Sequence, residues 1–103
     1  MVKVSEALQI AAERYRAGRP DLAEEIYRRI LAVEPDHAEA LHRLGVIAYG
    51  RGDLATAASL ISRAADLDPQ QPAVHNNLGE VWRAMGRTAE AVARQLGIDE
   101  VRA

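Results

Sequence analysis

The chain has 103 residues, 13 basic against 15 acidic side chains and a formal net charge of −2. That length allows one modest core, burying about 60–65% of the surface exposed on unfolding, and the near-neutral balance predicts no strong field for nucleic acid or anionic membrane. Without cysteine, disulfides, thiolate chemistry and Cys-based zinc sites are excluded.

Alanine is abundant, Phe is absent, and Trp82 and three tyrosines are the aromatic residues. Such a composition favours helices, and small side chains let helices approach closely. No segment approaches the roughly 20 apolar residues of a membrane span. Met1 to Ser5 lacks the charged-then-apolar pattern of a signal peptide. A cytoplasmic location and no membrane insertion are the expectations.

In chain order, the first helical stretch carries Ala7, Ile10 and Ala11 and runs to Gly18. Pro20 stands where the first turn of the next helix belongs, a position that tolerates proline. Pro35 closes that helix. From Asp36 to Gly50 a third helix opens with Asp36 and Glu39 as a D-x-x-E cap. Its apolar residues Leu41, Leu44, Ile47 and Ala48 share one face. Asp53 caps a fourth helix carrying Leu54, Ala57, Leu60, Ile61, Ala64 and Leu67, which Pro69 ends. Pro72 starts a fifth, and Gly86 divides it from a sixth. The expectation is six helices of about 12–15 residues, each about 20 Å long, and no strand.

A period underlies this order. Pro35 and Pro69 lie 34 residues apart, as do Gly18, Gly52 and Gly86, then Ala23, Ala57 and Ala91. Leu44-Gly45 with Leu78-Gly79, and Tyr15 with Tyr49, keep the same spacing. A fixed period of this length signals stacked supersecondary units that cannot bury their apolar faces alone.

The pattern resembles the tetratricopeptide repeat family. The middle unit supplies Leu41, Leu44, Gly45, Ala48, Ala57, Ile61, Ala64 and Pro69. The last supplies His75, Leu78, Gly79, Trp82 and Ala91, and the first Ala7, Ile10, Ala11, Ala23, Tyr27, Ile30 and Pro35. The resemblance implies an all-α fold: an α-solenoid of three helix-turn-helix pairs in a right-handed superhelical stack, at about residues 4–37, 38–71 and 72–103. Gly45 and Gly79 are then expected where paired helices touch, with Ala57 and Ala91 opposite and Trp82 filling the gap beyond. Arg14, Gln95 and Gly97 depart from the pattern.

No chemistry-bearing set emerges. His37 and His42 are five apart, well over 100° around a helix and poor for one metal. Ser59, Ser62, Asp66 and Asp68 have no nearby histidine, and the glycines form no phosphate loop. Arg14, Arg16, Arg19, Arg28 and Arg29 interleave with Glu13, Asp21, Glu24 and Glu25, as on a solvated face. Neither enzyme activity nor a cofactor or metal is expected.

By the resemblance, the first helix of each unit lines a concave groove that binds a protein or peptide segment. The side chains carried onto it include Tyr15, Arg16, His42, Arg43, Tyr49, Asn76, Asn77, Glu80 and Arg83. The carboxylate clamp of co-chaperones is absent, since its places hold Leu8, Ala12, Val46, Ala73 and Asn77. His75-Asn76-Asn77-Leu78-Gly79 resembles repeats preceding certain sugar-transferring enzymes. Two alternatives follow: an accessory array of a larger glycosyltransferase, sulfotransferase or methyltransferase, or a homo-oligomer formed through the C-terminal repeat and its Val92, Leu96 and Ile98.

Overall fold

A computed structural model describes residues 2–97. Five helices follow one another: α1 (Val4–Arg16), α2 (Pro20–Val33), α3 (Ala38–Gly50), α4 (Leu54–Leu67) and α5 (Pro72–Leu96). Among the described residues there is no strand. Sequential helices pack on one another, and α3 also touches α5. The result is an all-α solenoid measuring 57 × 28 × 21 Å.

The turns within the first two units are built alike. Gly18 and Gly52 adopt φ values of +79° and +81°, where a β-carbon is strained. Pro20 then occupies the first turn of α2, while the Asp53 carboxylate accepts the Thr56 amide at 3.3 Å to open α4. The entry to α3 differs from the expected Asp36–Glu39 box. His37 is the cap, its Nδ1 accepting the Ala40 amide at 3.2 Å. Asp36 instead pairs with Arg63 of α4, across the exposed corner between α2 and α3.

Two apolar clusters form the core. Ala11, Ala23, Tyr27, Ile30, Ala40, Leu44 and Ile47 join α1, α2 and α3. Leu41, Ala57, Ile61, Ala64, Ala65, Val74, Leu78 and Val81 join α3, α4 and α5. Adjoining faces of α3 thus serve both clusters, which is what couples neighbouring units of a solenoid. Gly45 is the closest approach: a β-carbon there would lie 2.5 Å from Ile61 Cγ1 and 3.3 Å from Leu60 Cβ.

The basic residues of α2 are paired as expected of a solvated face. Arg28 meets Glu24 at 2.8 Å and Arg29 meets Glu25 at 3.0 Å, each one turn apart. Arg51 at the end of α3 also reaches Glu24, and these two guanidiniums, Arg51 first, hold its carboxyl below the usual carboxylate range.

The third unit departs from six helices. Its two expected helices are one, because α5 runs 25 residues straight through Gly86. Local chemistry explains the difference. After Gly52 comes the capping Asp53, and after Gly18 comes Pro20 at the helix start; after Gly86 come Arg87 and Thr88, which supply neither signal. The reward for folding back is also smaller. Tyr27 and Ile61, 3% and 0% exposed, correspond in the period to Gln95. One helical glycine costs only about 1 kcal/mol relative to alanine, too little to break a helix that gains less by turning than its counterparts do.

Three packing expectations fail with that turn. Trp82 fills no gap and is 58% exposed. Ala91 is exposed, and a β-carbon on Gly79 would meet only the Arg83 guanidinium, at 3.5 Å. Gly97 does end the helix, as a left-handed cap with φ 74°. Ile98 lies outside the described residues.

Candidate functional site

The first helices of the units, α1, α3 and α5, lie side by side and form one face of the solenoid. Two clefts mark it. The first, of about 310 Å³, lies between α1 and α3 and is lined by Ala12, Tyr15, Arg16, Tyr27, Arg43 and Val46. Tyr15 and Arg16 come from the last turn of α1, Arg43 and Val46 from the middle of α3, and Tyr27 rises from α2 to form the floor. The second, of about 190 Å³, lies between α3 and α5, lined by Ala38, Glu39, His42, Arg43, Asp68, Gln71, Ala73 and Val74. Arg43 borders both.

The first cleft combines apolar walls with two cations and no lining acid. Tyr15 is 46% exposed, an amphipathic ring held ready at the rim. Tyr27 is 3% exposed, and burial raises its phenol pKa above the ordinary value, against the opposing pull of the Arg43 guanidinium. The phenol is therefore a neutral hydrogen-bonding group at physiological pH. The sequence pattern marks Tyr27 as core, which it is; its position as the floor of a cleft was not visible in the period.

His42 and Asn77 behave differently from the open groove residues expected. His42 is 6% exposed, and its Nε2 accepts the Asn77 side-chain amide at 2.8 Å. The bond ties α3 to α5 and places the ring proton on Nδ1. Burial lowers the His42 pKa, with Arg43 adding to the effect. Because the unfolded chain binds this proton more readily, stability is retained above the ordinary histidine pKa and declines as pH falls through it toward the folded value. A His42→Gln variant keeps an acceptor for Asn77 without titrating. Its melting temperature is expected to fall less than wild type between pH 7 and pH 5; equal slopes would show that His42 is not the group responsible.

The remaining residues carried onto the groove are Tyr49, Asn76, Glu80 and Arg83. All are exposed on α3 or α5, and none lines either cleft. His75 turns away, donating from Nε2 to the Pro69 carbonyl at 2.8 Å. Asp68 and Gln71, in the turn before α5, border the second cleft without any sequence signal beyond their place after α4.

Among the described residues no group of three or more His, Asp or Glu side chains could hold a metal ion. No helix among them is long and apolar enough to cross a membrane.

Comparison with known proteins places this architecture. Residues 8–72 match the tetratricopeptide repeat family model. An FK506-binding protein-like protein of Rattus norvegicus is 36% identical over 72 residues, which are 70% of this chain and 21% of that protein. The probable biofilm formation methyltransferase WspC of Pseudomonas aeruginosa is 47% identical over 49 residues, 48% of this chain and 12% of that enzyme. Among solved structures, a Thermobaculum terrenum O-GlcNAc transferase mutant superposes with a TM-score of 0.75 at 36% identity, covering 79% of this chain and 16% of the transferase. The matched region thus spans between 12% and 21% of these proteins. Repeat period, paired helices and family match agree: the chain belongs to the tetratricopeptide repeat family.

Proposed function

We infer that this chain is a protein-interaction module whose α1–α3–α5 face holds an extended segment of a partner. Tetratricopeptide repeats generally mediate protein interaction; the finer reading rests on the first cleft. Tyr15 and Tyr27 offer aromatic area at low entropic cost, while Arg16 and Arg43 border the same space without an acidic neighbour in its lining. That combination suits a segment that places a carboxylate between the two guanidiniums beside an apolar or aromatic residue. Glu39 and Asp68 in the second cleft suit a basic or amide group further along. Tyr49, Asn76, Glu80 and Arg83 extend the contact along α3 and α5.

Short fluorescein-labelled peptides test this by anisotropy, acidic ones against the same peptides with Asn and Gln for Asp and Glu. The acidic set is expected to bind more tightly. Arg16→Ala with Arg43→Ala is expected to weaken it by about tenfold or more, since a charge-assisted hydrogen bond contributes about 1.5–3 kcal/mol. Helical circular dichroism should not change. Equal binding of both peptide sets, or of both proteins, would sink the reading.

The comparisons favour a second reading, an accessory array within a larger enzyme. Two relatives are a sugar transferase and a methyltransferase, each far longer than the matched region. An α/β region of several hundred residues encoded in frame after these repeats would support it; a reading frame holding the repeats alone would refute it.

A further inference from the structure

The third unit is where period and structure part, and the parting leaves two surfaces uncovered. In the first two units the segment after the turn glycine folds back, and its Ala23 and Ala57 are fully buried against the first helix. The corresponding segment here continues outward as the second half of α5. Its Val92 and Leu96 are 48% and 68% exposed. Among the described residues nothing has replaced it over the first half, where Trp82 and Met85 are 58% and 39% exposed.

The two surfaces form one stripe. Trp82, Met85, Ala89, Val92 and Leu96 follow at alternating steps of three and four, the spacing of a two-stranded helical seam, in step with Leu78, which is already buried against α4. The positions flanking it are Gly79, Val81, Gly86, Thr88, Ala93 and Gln95, all uncharged. Every charged residue of this stretch, Glu80, Arg83, Arg87, Glu90 and Arg94, falls on the far side. A solvated helix end has no need of that segregation.

We propose that the occupant is the same stripe of a second copy, two chains exchanging the second halves of their α5 helices in antiparallel pairing. The intact second unit supplies the register. Gly45 there abuts Ile61, and moving both partners on by 34 residues sets Gly79 against Gln95 of the second copy. The same register sets Trp82 against Val92 and Met85 against Ala89, so that exposed seam meets exposed seam in the four central layers. The counterparts of Trp82 and Val92 in the second unit, Ala48 and Ala58, both pack on its core. Small residues at Gly79, Gly86 and Ala93 let the backbones approach. The pairing has two-fold symmetry about Arg87, whose side chain faces outward, and so closes at two copies. Each third unit thereby receives from its neighbour the second helix that it does not form itself.

The full chain has no cysteine, so introduced ones report cleanly. Trp82→Cys and Val92→Cys, mixed in equal amounts under mild oxidation, are expected to give a disulfide-linked pair at twice 11.2 kDa. Either variant alone should link far less, because like positions then lie about 15 Å apart along the helix, beyond the ~7 Å a disulfide spans. Met85→Cys with Ala89→Cys repeats the mixed link with Trp82 in place, without the single-variant control, since like positions there lie only about 6 Å apart along the helix. Light scattering of the unmodified chain should give twice 11.2 kDa as concentration rises, with the emission of its single tryptophan shifting to the blue. A monomer at all concentrations overturns the proposal. So does a Trp82→Cys, Val92→Cys double variant that links within one chain, since the helix would then fold back on itself.

Discussion

Replacing Gly45 with leucine is expected to destabilise the fold by about 3 kcal/mol, the upper end of overpacking costs. A β-carbon at this position already falls 2.5 Å from Ile61 Cγ1, closer than any real contact. Ile61 cannot give way, because it is 0% exposed and its Cγ1 is not the free end of a flexible side chain. Alanine should cost less, as its better helix propensity returns about 1 kcal/mol of the clash. For a chain of this size the leucine variant's melting temperature should fall by roughly 10–20 °C. The control is Gly86→Ala. A β-carbon there meets nothing within 4 Å and the backbone is helical, so a gain of about 0.5–1 kcal/mol is expected. Urea unfolding reads both. An unmoved midpoint for Gly45→Leu would mean that α3 and α4 do not touch at this glycine, and a loss at Gly86 would mean a left-handed turn in place of a helix.

The contrast between those glycines shows what the sequence made legible. The 34-residue period marks Gly18, Gly52 and Gly86 alike, and it marks Gly45 and Gly79 alike. A period reports where a glycine falls, but its conformation depends on neighbours and on what covers them. Gly52 turns because Asp53 caps the helix beyond it and Ile61 has a core to enter. Gly86 has Arg87 after it and Gln95 nine residues on, so it remains helical. The departure at Gln95 was readable; that it would merge two helices into one followed only from weighing the lost burial against the small cost of a helical glycine. Caps showed a similar limit. Asp36 and Glu39 fit the D-x-x-E rule, yet Arg63, distant in sequence, engages Asp36 and leaves the cap to His37. At the candidate site the positions carried onto α1 and α3 came from the family resemblance, but the His42–Asn77 bond spans two units and has no local signal. Tyr27 was hidden for the opposite reason, since a residue that satisfies the core pattern gives no hint that one edge borders a cleft.

Ile61→Ala is expected to be as damaging as any single truncation in this chain, at about 2–5 kcal/mol. Ile61 is fully buried in the cluster that joins α3, α4 and α5, with Leu41 and Val81 as the other largest buried side chains. The cavity would open where the second unit holds α5, so the loss should also free the helix whose outer stripe is already uncovered. The informative measurement is the double-mutant cycle with Gly45→Leu. Truncating Ile61 removes the Cγ1 and Cδ1 atoms that the leucine would strike, and the leucine fills part of the space that truncation leaves. Ile61→Ala in the Gly45→Leu background should therefore cost at least 1 kcal/mol less than in wild type, within the coupling known for residues in contact. Additivity within about 0.5 kcal/mol, the behaviour of distant sites, would contradict the α3–α4 contact. It would also remove the register from which the pairing of Trp82 with Val92 is drawn, because that pairing is the Gly45–Ile61 contact carried forward by one period.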